Sequence, residues 1–339
     1  MNEQAPIEGL KPKDFASDQE VRWCPGCGDY AILKAMQRTL AELGRPTEKT
    51  VFVSGIGCAA RFPYYVSTYG FHTIHGRAPA IATGVKLANP DLDIWVIVGD
   101  GDGLSIGGNH MLHALRRNVD LNILLFNNEV YGLTKGQYSP TSPPGQITPS
   151  SPFGSVERPV SPCAFALGAG ARFVARSVDT QMQHLAEMFK RAHAHRGASF
   201  LEIYQNCIVY NDKVFASFTD KEVAAERQIR VEHGKPLIFG KDGSKGLRLK
   251  RLELEVVTLG AGVGVDDILC HDETDRTLAN LLVSLEPPDF PVAMGVLYCD
   301  PAPSFEASVH AQIAAQREKL RSGGLNALLR EGYTWTING

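Results

Sequence analysis

The sequence predicts an α/β fold: a parallel β-sheet flanked by helices, with a C-terminal extension. Three observations predict it. Apolar strands alternate with amphipathic helices between residues 29 and 204. The strands read as continuous apolar runs, the mark of strands buried on both faces. Glycine is abundant, with 33 in 339 residues, and several stand where a predicted strand ends. That placement lets the chain turn sharply and approach a ligand closely.

The elements follow in order. Residues 1–22 read as a polar arm. Asp29 to Leu43 carries Ile32, Leu33, Met36, Leu40 and Leu43 at helical spacing, with Gly44 as a stop. Thr50 to Ser54 is a short buried strand. Pro79 to Ala88 reads as a helix with proline in its first turn. Ile94 to Val98 is a buried strand, Ile106 to Arg117 a helix with two arginines in its last turn, and Leu121 to Phe126 the next strand. Between Ser139 and Pro162 the pattern vanishes, and thirteen of those 24 residues are Pro or Ser. A stretch that long without structure is a covering loop or a surface excursion. A helix over Gln181–Ala194 and a strand over Ser199–Tyr204 complete the body. The domain reading is an arm (1–22), a ligand-binding domain (23–215) and an extension (216–339), the last with helices expected at 219–229, 273–285 and 304–321.

Composition excludes several classes. With 34 basic and 37 acidic residues, net charge −3, 44% hydrophobic and 21% charged residues, neither a disordered chain nor a polybasic nucleic-acid binder is expected. The first twenty residues have no basic and apolar leader pattern, and no run approaches a membrane span. The expectation is a cytoplasmic protein with reduced thiols, in which closely spaced cysteines mean metal, cluster or redox chemistry.

The strand Ile94–Val98 runs into Gly99-Asp100-Gly101-Asp102-Gly103, and the strand Leu121–Phe126 into Asn127-Asn128. In a parallel sheet both ends lie on one edge, beside a helix N-terminus that attracts anions. A carboxylate, an amide oxygen and a backbone carbonyl suit Mg²⁺ shared with a diphosphate. The pattern resembles the diphosphate-binding motif of thiamine diphosphate enzymes. It implies Mg²⁺ ligands at Asp100, Asn128 and the carbonyl of Val130. Only that half of such an enzyme is present, so a partner chain carrying the pyrimidine-binding half is implied.

Cys24-Pro25-Gly26-Cys27 precedes a helix, Cys58 sits in a glycine-rich turn, and Cys207 follows a strand. By spacing alone the CxxC is a redox pair, half a zinc site, or part of an iron–sulfur site. Trp23–Gly28, Gly55-Ile56-Gly57-Cys58, Ile74-His75-Gly76-Arg77, Gly99–Asp102 and Asn127–Gln137 also occur in one characteristic order. Over residues 20–215 the chain resembles the β subunit of 2-oxoacid:ferredoxin oxidoreductases, nearest the 2-oxoglutarate type. The resemblance implies a thiamine diphosphate-binding fold and a 4Fe–4S cluster on Cys24, Cys27, Cys58 and Cys207. Cys163, Cys270 and Cys299 then read as buried small hydrophobes. It further implies that Ile56, Gly57, Cys58, Ala59 and His75 line the thiamine site, and that Gly101, Asp102, Gly132 and Leu133 surround the diphosphate and its Mg²⁺.

The implied reaction is decarboxylation of 2-oxoglutarate to succinyl-CoA, in either direction, with coenzyme A as co-substrate and electrons passing singly through the cluster to ferredoxin. The implied assembly is an (αβ)2 heterotetramer. Lys135 and Arg61 are the candidates for the distal substrate carboxylate; a surface charge is the ordinary reading of either. His110 and His113 read as helix packing rather than a metal pair, because Mg²⁺ takes oxygen ligands. A pyruvate-type relative, a non-redox thiamine enzyme half and a zinc-stabilised assembly subunit remain alternatives at this point.

Overall fold

The computed structural model describes residues 7–260, 262–319 and 324–337. Eleven strands and ten α-helices occur among them. The first strand, β1 (Thr50–Ser54), is followed by β2 (Tyr69–His72), β3 (Asp93–Gly99), β4 (Asn122–Asn127), β5 (Phe173–Val178) and β6 (Ser199–Tyr204). Four short strands follow, β7 (Gln228–Val231), β8 (Ile238–Phe239), β9 (Lys245–Lys250) and β10 (Glu253–Thr258), and then β11 (Val292–Cys299). The main sheet runs β2-β1-β3-β4-β6-β5-β11-β7. Its first six strands are parallel; β11 meets β5 antiparallel and pairs parallel with β7. β8, β9 and β10 form a separate antiparallel sheet.

The expected helices α1 (Asp29–Leu43), α2 (Ala78–Ala88) and α5 (Met182–Ala194) are present, with α3 (Gly108–Arg117) and α4 (Pro162–Gly168) between them. Strand side chains alternate between two cores. Val51, Ile94, Val96, Val98, Ile123 and Leu125 face α2 and α3. Phe52, Trp95, Ile97, Leu124 and Phe126 face α1 and α5. Both sets are buried, which is why the strands read as unbroken apolar runs. Fully burying each such side chain is worth about 1.5–3 kcal/mol.

Four departures from the sequence reading have local causes. The helix expected from Ile106 begins at Gly108, because residues Asp102–Ile106 wind as a wider π turn. The helix expected over 219–229 is replaced by two short helices, α6 (Ala216–Thr219) and α7 (Ala224–Arg227), and then by β7. Asp220 is extended (ψ 141°), which breaks the helix, and Ile229 and Val231 are claimed by pairing with β11. The polar arm is anchored: Phe15 is fully buried, and its carbonyl accepts from the Ser67 amide at 2.9 Å. Cys270 is exposed rather than buried, while Cys163 is buried and Cys299 half-buried.

After residue 215 the chain also supplies α8 (Arg276–Val283), capped by Asp275 through the Thr277 and Leu278 amides, then α9 (Phe305–Lys319) and α10 (Gly324–Leu329). The end of the helix expected at 304–321 falls on residues 320–321, outside the described residues. Strands β7 and β11 place part of this stretch within the main sheet. Among the described residues, no helix is long and apolar enough to cross a membrane.

Candidate functional site

Four adjacent parallel strands, β1, β3, β4 and β6, end on one edge of the sheet. Their following segments carry Cys58, Asp100, Asn128 and Cys207 in turn. Ligands in open α/β sheets bind outside such carboxyl ends.

The residues expected at the cofactor lie on the wall of a single cleft: Ile56, Gly57, Cys58, Ala59, His75, Gly101, Asp102, Gly132 and Leu133, with Asp100, Asn128 and Val130. Gly99, Phe126, Tyr131 and Thr134 complete it. Lys135 and Arg61 do not join this wall. Lys135 is exposed in a left-handed conformation at φ 78°, and the Arg61 Nε donates to the Tyr65 hydroxyl at 3.1 Å. His110 contacts Arg77 through its ring nitrogen.

Asp100 is buried, and its Oδ2 accepts from Ser139 Oγ (2.5 Å) and Thr141 Oγ1 (2.6 Å). Burial raises its pKa, and the two hydroxyls oppose the rise. Thr141 Oγ1 also lies 3.0 Å from Asn127 Oδ1, and Ser142 Oγ donates to the Glu129 carbonyl at 2.6 Å. The base of the Pro/Ser-rich stretch is thus part of the site, while its tip is exposed at Phe153 and Val156. Nothing in the local pattern marks Ser139 or Thr141. Only the fold returns them to the end of β3.

Asp102 organises the opposite wall. Its Oδ1 accepts from the amides of Gly76 (2.7 Å) and Ile56 (3.2 Å), with His75 Nδ1 at 3.9 Å. Its Oδ2 is buried and has no hydrogen-bond partner among the described residues. Burial raises its pKa, and the two amides pull it down. The Cβ of any residue at Gly55 would lie 2.0 Å from Oδ2, so glycine is required there. A Cβ at Gly101 would lie 2.1 Å from the Tyr131 ring, whose hydroxyl donates to the Gly101 carbonyl at 3.2 Å.

The four expected cluster cysteines are free thiols, and one of them, Cys58, lines this cleft. The Cys27 amide donates to the Cys24 carbonyl at 3.0 Å, closing their turn. Gly26 is left-handed (φ 87°), and a Cβ there would press on Ile208 Cδ1 at 2.7 Å, so the Cys207 loop rests on the Cys24–Cys27 loop. Trp23 Nε1 donates to the Cys58 carbonyl at 2.8 Å, bringing in the third loop. A Cβ at Gly132 would lie 3.4 Å from the Cys207 sulfur and 3.6 Å from that of Cys58. The missing side chain therefore leaves a cradle between those sulfurs and the cleft. Burial pushes the Cys58 thiol up to about 12 and that of Cys27 higher, with Asp29 adding to both. Burial lifts Asp29 itself to about 7.

The residues fit both a Mg²⁺-bound diphosphate and an iron–sulfur cluster. Asp100, Asn128 and a backbone carbonyl form an all-oxygen donor set for a hard cation. The unpartnered Asp102 oxygen and the glycine backbones leave polar room for a ligand. Among the described residues, no three His, Cys, Asp or Glu gather closely enough to hold one metal ion; thiols gathered from three loops around a glycine cradle suit a larger cluster.

Residues 55–203 match the model of the thiamine pyrophosphate enzyme C-terminal TPP-binding domain. The chain is 49% identical over 333 residues to the 2-oxoglutarate oxidoreductase subunit KorB of Mycobacterium tuberculosis, covering 97% of this chain and 89% of that one. It is 48% identical over 196 residues to the β subunit of 2-oxoacid:ferredoxin oxidoreductase 1 of Aeropyrum pernix, 58% of this chain and 62% of the other. A solved structure, 2-oxoglutarate:ferredoxin oxidoreductase from Magnetococcus marinus with 2-oxoglutarate, coenzyme A and succinyl-CoA bound, superposes with TM-score 0.78 at 33% identity, over 97% of this chain and 98% of that one.

Proposed function

The chain belongs to the β-subunit family of thiamine diphosphate-dependent 2-oxoacid:ferredoxin oxidoreductases, and from that premise we propose which residues do its work. The enzyme decarboxylates 2-oxoglutarate to succinyl-CoA. Asp100, Asn128 and the Val130 carbonyl hold Mg²⁺ against the diphosphate. Cys24, Cys27, Cys58 and Cys207 hold a 4Fe–4S cluster. An α subunit completes the cofactor site in an (αβ)2 assembly in the cytoplasm, and ferredoxin takes the electrons. Residues 23–215 form the cofactor-binding domain, with 1–22 as its arm and 216–339 as its extension.

When bound, thiamine diphosphate supplies the electron sink for decarboxylation and the cluster a one-electron relay. This chain's residues position and shield them. Asp100, held in place by the Ser139 and Thr141 hydroxyls, binds the cation. Asp102 ties the Ile56 and Gly76 backbones into one wall, which fixes His75 beside the cleft. The aromatic and aliphatic wall excludes water. Lys135, on the loop after Asn128, meets the distal carboxylate of 2-oxoglutarate once the partner chain closes the cleft; Arg61 is the second candidate.

One observation carries this reading: Gly132 lies on the cleft wall, and a Cβ there would already reach the Cys207 and Cys58 sulfurs at 3.4 and 3.6 Å, so the cofactor and the cluster would be immediate neighbours. The test is to purify the complex with its partner anaerobically, assay iron and sulfide, and follow ferredoxin reduction with coenzyme A on 2-oxoglutarate and on pyruvate. Iron, visible absorbance bleached by dithionite, and faster reduction with 2-oxoglutarate are expected. Zinc without iron, or no reduction with either substrate, would overturn it.

A further inference from the structure

We propose that Gln205 is a positioning residue that joins the two centres, orienting Asn128 for the cation and donating a hydrogen bond to the Cys27 sulfur. The inference rests on the cluster and Mg²⁺ assignments above and adds a residue that neither requires.

Gln205 follows β6 directly and is 1% exposed. Its backbone amide donates to the Asn127 carbonyl at 2.9 Å, continuing the ladder between β4 and β6 by one residue. The side chain is therefore held from its own backbone. Its Oε1 accepts from Asn128 Nδ2 at 2.7 Å. Its Nε2 donates to Cys27 Sγ at 3.3 Å and to the Asn206 carbonyl at 2.6 Å. One buried amide thus spans from the residue proposed to hold Mg²⁺ to a cysteine proposed to hold the cluster.

Each end has a consequence. With Asn128 Nδ2 engaged by Gln205, the amide cannot flip without losing that bond, and its Oδ1, which accepts from the Val130 amide at 3.3 Å, keeps a second lone pair for a hard cation. At the other end, hydrogen bonds to ligating sulfurs tune cluster potentials. An N–H donor favours the more negative, reduced state and raises the potential. The amide is shielded from water, so neither bond has a ready solvent substitute.

The test uses the anaerobically purified complex with wild-type β subunit, Gln205→Leu and Gln205→Glu. Two quantities are read: the cluster's reduction potential, by spectroscopically monitored redox titration, and the affinity for thiamine diphosphate with Mg²⁺ after cofactor removal. Gln205→Leu loses the bonds to Asn128 and Cys27 together with that to the Asn206 carbonyl. It should lower the potential by at least a tenfold change in the reduction equilibrium, about 59 mV for one electron, and weaken cofactor binding at least fivefold. Gln205→Glu, measured at pH 9, keeps an acceptor for Asn128 but turns an anion toward Cys27. It should lower the potential while cofactor affinity stays within twofold. If Gln205→Leu loses thermal stability alone, with potential and affinity unchanged, the residue is only structural and the proposal fails. If that variant retains no cluster, Gln205→Glu decides: an unchanged potential overturns the proposal and a lowered one supports it. A wild-type complex without iron refutes the functional assignment and this inference with it. A loaded wild type with insensitive variants refutes this inference alone.

Discussion

Gly55→Ala isolates how one wall of the cleft is built. The Gly55 backbone is not left-handed, so alanine adds only a methyl group. That carbon would sit 2.0 Å from Asp102 Oδ2, 2.5 Å from Oδ1 and 2.6 Å from Cγ. Ordinary contacts are about 3.5–4.0 Å, so the whole carboxylate must retreat by roughly 1 Å or more. Asp102 is nearly fully buried, and its Oδ1 holds the Gly76 and Ile56 amides at 2.7 and 3.2 Å. Hydrogen bonds to a charged group are worth about 1.5–3 kcal/mol each, so losing both costs about 3–6 kcal/mol. Each 1.4 kcal/mol is tenfold in affinity; if half of the lower figure reaches the cofactor, binding weakens about tenfold. Calorimetric titration of the cofactor-free complex with thiamine diphosphate and Mg²⁺ measures this, and thermal unfolding reports the remainder. Gly84→Ala is the control, because a Cβ there meets nothing within 4 Å and lies on α2. It should leave binding unchanged. Wild-type binding and unfolding in Gly55→Ala would refute the claim that Asp102 fills this space.

Other substitutions test separate parts of the site. Thr141→Val removes one of two hydroxyls from Asp100, and should raise the Mg²⁺ concentration for half-maximal activity about tenfold, from about 1.5 kcal/mol per charged hydrogen bond; an unchanged Mg²⁺ titration would dismiss that support. Lys135→Ala should depress kcat/KM for 2-oxoglutarate more than for pyruvate, and equal losses would remove Lys135 from substrate selection. Arg176→Ala strands the buried Glu202 carboxylate, which accepts from Arg176 Nε at 2.8 Å, and should cost about 3–5 kcal/mol in denaturant unfolding; a change below about 1 kcal/mol would contradict the pairing. His184 has its pKa pushed down to about 4 by burial, with the Arg230 charge adding. The unfolded chain takes up that proton near pH 6.5 and the folded chain only near 4, so stability is full above 6.5 and is lost as pH falls between them. A His184→Gln variant should show a flatter stability profile over that interval, and an identical slope would rule this residue out.

How much was legible depended on whether the signal was local. Strand β3 could be read because Ile94–Val98 is apolar on both faces. Strand β5 could not, since Arg176 interrupts its apolar run; that arginine is buried only because Glu202, on the neighbouring strand β6, pairs with it. Strand β2 is exposed along its whole length and has no pattern to read. The 219–229 segment has helical composition, but pairing with β11 outweighs that propensity.

The sequence by itself determined the order of the chemistry: a CxxC, a glycine-flanked cysteine, an acid–glycine turn and an asparagine pair, each at the end of a predicted element. Period and spacing are properties of the local chain, so they survive without the fold. Only the tertiary structure decided that Ser139 and Thr141 satisfy Asp100, that Gly55 makes room for Asp102, and that Gln205 reaches both Asn128 and Cys27. These contacts join residues dozens to more than a hundred positions apart. They exist because parallel strands deliver four loops to one edge of a sheet, where burial favours pairing between the polar groups brought together.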